Sequence, residues 1–353
     1  MSPPPRPEVA EVLLDLRQHQ ELKRLLPELL QARVIYLGES HTNYAHHLKQ
    51  LEIITQIHQA DPELAIALEM FQWPQQAVLD HFIAGELDHS GLLHQSEWFS
   101  RWGYDYALYR PILEFAREQC IPLVAINLPS ELVARLREVG WEGLTPEEQA
   151  QIPHLDQSDE HYQARLQALY QRHPPTSSGR FDRFLTIQLA WDETMAQRIA
   201  EFLIQHPERR LVVLAGSGHL AYRSGIPQRV ERRTGERGLV LLPAESVELA
   251  PGVADFAYTT NPLPAPPRAQ LGVALESREQ GVFIKQVMAN SPAEQAGLLV
   301  GDQIAAIEGQ AIHHNDELRI TLLEYQPGDT IELQIHRSGI FGTRQPRSVI
   351  VTL

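Results

Sequence analysis

Cysteine, basic charge and long apolar runs are all scarce in this chain. There is one cysteine, Cys120, in 353 residues, so no intramolecular disulfide can form and no cysteine cluster can hold zinc. Followed by Ile-Pro-Leu-Val, that thiol reads as a small apolar residue at a strand edge. Lys and Arg number 30 against 45 Asp and Glu, a formal net charge of −15 with a pI near 5.5. Holding a nucleic-acid backbone or an anionic membrane surface needs the opposite balance, so neither partner is expected. No apolar run approaches the roughly eighteen residues that span a bilayer, so no transmembrane segment is expected. The opening Met-Ser-Pro-Pro-Pro-Arg-Pro has neither the basic start nor the apolar core of a secretory signal, and no early lipid-bearing cysteine. The expected location is the cytoplasm, or the periplasm if a leader precedes this numbering.

What is present is a set of short apolar runs, each ending in polar residues. Val34 to Leu37 leads into Gly38-Glu39-Ser40-His41, and Leu64 to Leu68 ends at Glu69. Pro122 to Ile126 ends at Asn127, and Leu211 to Ala215 ends in Gly216-Ser217-Gly218-His219. Runs apolar on both faces and separated by helical segments predict parallel strands covered on both sides. Helices are expected over Glu8–Leu16, 20–31, Asn43–Gln59, Tyr106–Gln119 and Gln188–His206. A polar helical excursion or lid is expected between Pro129 and Phe184, with a loop at His173–Gly179. The Asn261-Pro-Leu-Pro-Ala-Pro-Pro stretch reads as a stiff linker. The expected fold is therefore α/β, a mostly parallel sheet with helices on both faces (residues 1–262), followed by a small mostly-β domain (263–353).

Glu39, His41, Glu69, Asn127 and His219 all fall at or just beyond strand carboxyl ends, the rim where open α/β sheets bind ligands. Two carboxylates and two imidazoles suit a divalent cation such as Mn²⁺, Zn²⁺ or Fe²⁺, or acid–base work. The alternative is that such groups only cap strand ends. His47, on the helix that follows, is a further ligand, a group orienting Glu39, or a core histidine. Asp192 and Glu193 could add a carboxylate, although Glu193 reads more readily as solvated helix face. Histidines 81, 89, 94, 154, 161 and 173 read as surface.

The ordered set resembles a known family. Gly38-Glu39-Ser40-His41 and Gly216-Ser217-Gly218-His219 match the Gly-x-x-His pair of the superfamily that joins Tiki metalloproteases, TraB-like proteins, erythromycin esterases and ChaN-like proteins. His47, Ala-Leu-Glu69-Met-Phe, Trp102-Gly-Tyr104-Asp-Tyr106, Tyr109-Arg-Pro, Trp191-Asp-Glu-Thr-Met-Ala and His219-Leu-Ala-Tyr ahead of Gly225-Ile-Pro look ChaN-like in particular. The resemblance covers about residues 20 to 245. It implies a haem-binding crevice, as in ChaN-like iron uptake, or a divalent metal, as in the Tiki branch. Tyr104, Tyr106 and Tyr109 are then candidates for a phenolate haem ligand. If the chain is an enzyme, metal-assisted hydrolysis is expected, with His41 and His219 holding the cation beside Glu69 or Asp192 and Glu39 activating water.

The C-terminal domain resembles a bacterial PDZ domain through Gln270-Leu271-Gly272-Val273, Gly281-Val-Phe-Ile, Ser291-Pro-Ala-Glu-Gln-Ala-Gly-Leu and Gly301-Asp-Gln-Ile. The resemblance implies a protein C-terminus or peptide as partner. Its terminal carboxylate would meet the Leu271-Gly272-Val273 turn, and its strand would lie beside a helix from Asn315 to Tyr325. Leu318 and Leu322 would line the groove or the core. A third reading leaves the first domain degenerate and the PDZ module acting as an adaptor.

Overall fold

The computed structural model describes residues 21–172, 181–338 and 344–353. The helix expected over Glu8–Leu16 and the loop expected at His173–Gly179 lie outside the described residues. Contacts divide the chain into two compact units: residues up to Glu86 together with Tyr104–Pro264, and Leu87–Gly103 together with Ala265–Leu353.

The first unit is built on six parallel strands: β1 (Val34–Glu39), β2 (Leu64–Gln72), β3 (Leu123–Asn127), β4 (Arg210–Gly216), β5 (Leu239–Pro243) and β6 (Phe256–Tyr258). Their spatial order is β3-β2-β4-β1-β5-β6, every pairing parallel. Alternate residues explain why these runs lack an apolar–polar rhythm. Val34, Tyr36, Ala65, Ala67, Val213 and Ala215 pack against Met195, Ala196, Ile199 and Leu203 of the Phe181–Gln205 helix. Their neighbours Ile35, Leu37, Ile66, Val212 and Leu214 are just as buried on the other face, as expected of a sheet covered on both sides.

The Tyr44–Ala60 helix starts where Asn43 accepts a hydrogen bond from the Ala45 N–H, 3.1 Å, as an N-cap should. The helix expected from Tyr106 begins instead as one 3₁₀ turn, Tyr106–Leu108, before Arg110–Glu118. Pro111 sits in the first turn there, where its missing N–H costs nothing. The polar excursion is helical, with Ser130–Val139, Pro146–Gln149 and Glu160–Arg172. Strands β5 and β6 are additions to the four expected from the sequence.

In the second unit, β7 (Val273–Arg278), β8 (Gly281–Val287), β9 (Gln303–Ile307), β10 (Gln310–Ala311), β11 (Thr330–Ser338) and β12 (Arg344–Thr352) form an antiparallel sheet. The order is β12-β11-β9-β8-β7, with β10 on β9. Its core holds Leu271, Val282, Ile284, Ala293, Leu298, Ile304, Leu318 and Ile331. The Asn315–Leu322 helix stops three residues short of the expected Tyr325. The His89–Gln95 helix packs on it, and the Arg319 guanidinium stands 5.3 Å from the Phe99 ring.

Candidate functional site

Register brings the two Gly-x-x-His motifs together. β1 and β4 are neighbours, Gly38 opposite Ala215 and Glu39 opposite Gly216. Both imidazoles therefore leave adjacent strand ends on one rim of the sheet, although the residues are about half the chain apart.

Each imidazole is backed by a buried carboxylate. His41 donates from Nδ1 to Glu39 Oε1, 2.8 Å, and Glu39 is only 2 % exposed. His219 donates from Nδ1 to Asp192 Oδ1, 2.5 Å, and the Tyr162 hydroxyl donates to Asp192 Oδ2, 2.6 Å. A carboxylate on Nδ1 orients the ring and sets the role of the other ring nitrogen. His219 Nε2 lies 3.5 Å from Glu69 Oε1, while Glu69 Oε2 accepts the Gly216 N–H at 2.5 Å. The His41 ring crowds the same glycine: a Cβ on Gly216 would fall 3.0 Å from His41 Cε1 and 3.1 Å from Nε2. Side chains of His41 and His219 keep 24 % and 16 % exposure. They are the groups through which the buried carboxylates reach the rim.

The charges are set by this arrangement. Burial raises the Glu39 carboxyl, but the His47 charge and hydrogen bonds from His41 and His47 outweigh it and hold it well below the usual range. Burial lowers His219, yet the Asp192 and Glu69 charges push it up to about 9. His41 is raised too: burial opposes, and the Glu39 hydrogen bond with the Glu69 and Glu39 charges prevails.

The other candidate residues take different positions. His47 is buried, its Nε2 3.2 Å from the His41 carbonyl and its Nδ1 3.2 Å from Gln50 Oε1 and 3.4 Å from Glu39 Oε2. It braces Glu39 and turns no nitrogen to the rim. Glu39 itself accepts from His41, Tyr109 and Gln50 Nε2, the last two at 3.0 Å each. It orients His41 and, with both oxygens engaged, is not placed to activate water. Asp192 stands behind His219 in the same way. Asn127 donates to the Glu69 carbonyl, 2.8 Å, and accepts from the Leu128 N–H, 2.8 Å, a strand-end cap. Glu193, expected as solvated helix face, is fully buried. It meets Arg229 at 2.9 Å and Arg232 at 3.0 Å, with Arg233 also in contact, because the Ile226–Thr234 helix packs its basic face there. Among the described residues no group of three or more His, Cys, Asp and Glu is gathered as a metal site.

The tyrosines separate by burial. Tyr106 is buried and its hydroxyl is raised far above the ordinary value by desolvation. Tyr109 is buried on Glu39, its ring 4.3 Å from His47. Tyr104 is half-buried, its ring centroid 4.9 Å from that of His41. Of the three, only Tyr104 stands where an iron outside the core could meet it. Three contributors went unseen in the sequence: Gln50, Tyr162 and His46. His46 accepts the Ser40 N–H at 3.0 Å and fixes the turn. Its place three after the Asn43 cap was a usable signal; nothing marked Tyr162.

In the C-terminal unit β7 ends the sheet, with the Asn315–Leu322 helix beside it. This edge-and-helix frame is what strand addition of a peptide requires. Gly272 has φ +72°, and a Cβ there would lie 2.3 Å from Ser291 Cβ. Leu271 and Leu318 are core residues, Val273 and Leu322 half-buried against that core. Ser291 caps the Pro292–Gln295 turn through the Glu294 N–H, 3.2 Å.

Residues 25–230, more than half of the chain, match the family model described as "Haem-binding uptake, Tiki superfamily, ChaN". The chain belongs to this ChaN-like family. Residues 269–343 match the PDZ domain model. A solved structure of ChaN of Campylobacter jejuni, with cofacially bound haem, superposes with a TM-score of 0.53 at 19 % identity, covering 66 % of this chain and 88 % of that one. That likeness shows a shared fold. The chloroplastic protein RETICULATA-RELATED 5 of Arabidopsis thaliana is 26 % identical over 268 residues, 68 % of this chain and 35 % of the relative. The serine protease Do-like HtrA of Bacillus subtilis is 40 % identical over 70 residues, 20 % of this chain and 16 % of that protein. The chain therefore spans well under two thirds of both curated relatives. The ChaN-like match takes in the first Gly-x-x-His motif, Glu69, the tyrosines, Asp192 and His219. No helix among the described residues is long and apolar enough to cross a membrane.

Proposed function

We propose that the ChaN-like domain binds haem at the β1–β4 rim and that the PDZ domain brings it to a protein C-terminus. One observation carries the haem reading: two imidazoles at adjacent strand ends each have Nδ1 tied to a buried carboxylate while the rings stay partly exposed. Iron-ligating histidines are oriented and made more basic in this way. The donor set thus fits the group that the family's name implies. His41 or His219 would hold the iron, with Tyr104 beside His41 as the phenol alternative. When bound, haem supplies an iron centre and two carboxylate arms. Glu39 and Asp192 orient the imidazoles, His47 and Gln50 hold Glu39 in place, and Gly216 leaves room for the His41 ring.

The test is haem titration of the purified full chain, followed at the Soret band. We expect His41→Ala and His219→Ala each to weaken binding about tenfold or more, Tyr106→Phe to leave it unchanged, and Tyr104→Phe to change it only if the phenol ligates. No Soret change with the wild-type chain would sink the reading.

A second reading is favoured by Glu69, whose Oε1 lies 3.5 Å from His219 Nε2. Carboxylate-backed imidazoles next to an acid can exchange protons with a substrate, which makes hydrolysis the alternative. His41 would then be the base, in place of Glu39. A hydrolase screen with metal analysis of wild type and His41→Ala decides it: activity lost in the variant supports hydrolysis, and no activity in either excludes it.

A further inference from the structure

Arg165, on the Glu160–Arg172 helix, reaches the rim from the excursion and is not used by any role above. Its Nη1 donates to the carbonyl of Gly218, inside the second Gly-x-x-His motif, at 3.0 Å. Its Nη2 donates to Ser224 Oγ at 2.9 Å, and its Nε is buried with no hydrogen-bond partner. The guanidinium lies 5.5 Å from the centroid of Tyr162, itself fixed by Asp192. Among the described residues no carboxylate lies within ion-pair distance of it. A guanidinium has five N–H donors, and the protein engages two of these. In a chain of net charge −15, an arginine held rigid without a carboxylate beside the proposed crevice is a charge kept for something else.

We infer that Arg165 recognises an anion at the rim, and that the ligand class it selects is an amphipathic carboxylate whose charged end rests beside His219. A planar guanidinium in a fixed orientation matches a carboxylate through two parallel N–H donors. For haem the charged end is a propionate, a form of the inference that rests on the proposed function. The carboxylate form stands without it.

Two arms test this on the full chain, with wild type, Arg165→Gln and Arg165→Lys compared after thermal melts confirm folding. In the first, haem and haem dimethyl ester are titrated at the Soret band. Arg165→Gln weakens haem about tenfold, Arg165→Lys less, and the ester binds wild type and Arg165→Gln alike. Equal weakening of acid and ester, or none, overturns the haem form. In the second, benzoate is titrated while the His219 imidazole NMR signals and Trp191 fluorescence are read, since the Trp191 ring stands edge-on to His219 at 6.3 Å. Wild type and Arg165→Lys respond; Arg165→Gln does not. No response in wild type, or the same response in Arg165→Gln, overturns the inference. Should wild type bind neither porphyrin, the haem reading fails and the benzoate arm alone decides.

Discussion

Asp192→Asn separates the carboxylate that orients His219 from the ring itself. In the ligand-free chain the Asp192 and Glu69 charges overcome burial and lift His219 from 6.5 to about 9. A rise of that size corresponds to about 3 kcal/mol of folding stability. The sign follows from which form the fold prefers. The folded state favours the protonated ring, so the contribution is full below pH 6.5, shrinks as pH rises, and is gone above about 9. Asparagine keeps the hydrogen bond but removes the Asp192 charge, so the ring titrates lower than in wild type, with the Glu69 charge alone left to oppose burial. The assay is an imidazole NMR titration of both proteins, with urea unfolding at pH 6 and pH 9.5. Wild type should lose more stability than Asp192→Asn between those two values, by up to about 3 kcal/mol, the part that Glu69 supplies being common to both. A wild-type His219 that titrates at or below 6.5, or an identical titration in Asp192→Asn, would refute the reasoning.

Glu193→Gln should cost about 3–5 kcal/mol in urea unfolding, because it strands the buried Arg229 guanidinium, whose ion pair among the described residues is with Glu193. Gly272→Ala forces a Cβ into Ser291 at positive φ; we expect about 1–3 kcal/mol of destabilisation and loss of peptide binding by fluorescence polarisation. Gly216→Ala pushes on the His41 ring rather than on the core, so haem affinity should fall about tenfold while the melting temperature moves little. Glu39 is held below the ordinary carboxylate range, so its contribution is present above pH 4.5 and lost as pH falls below it. Glu39→Gln should flatten the acid limb of the unfolding curve, and an unchanged limb would show that Glu39 is not held in this way.

Much of the site was legible because strand-end chemistry is local. A short apolar run that stops at Gly38 or Gly216 predicts both the strand and the turn, and the imidazole three residues on must leave from that end. The PDZ motifs were readable for the same reason: turns, caps and strands are written within a few residues of one another. What each polar group does there is another matter. Glu39 was expected to activate water, His47 to be a ligand, a group orienting Glu39 or a core histidine, and Asp192 to add a carboxylate; in the structure each is engaged by hydrogen bonds that make it a support. Tyr106 and Tyr109 are buried where Tyr104 is not, which no spacing states.

Sequence alone determined the two kinds of sheet, the pair of Gly-x-x-His turns and the negative charge of the chain, since periodicity and composition are properties of neighbours along the backbone. Tertiary structure decided that β4 lies beside β1, so that Glu39 faces Gly216, and that the Ile226–Thr234 helix surrounds Glu193 with arginines. Those outcomes depend on which faces pack together across nearly two hundred residues, and burial, not spacing, turns a carboxylate from a ligand into a brace.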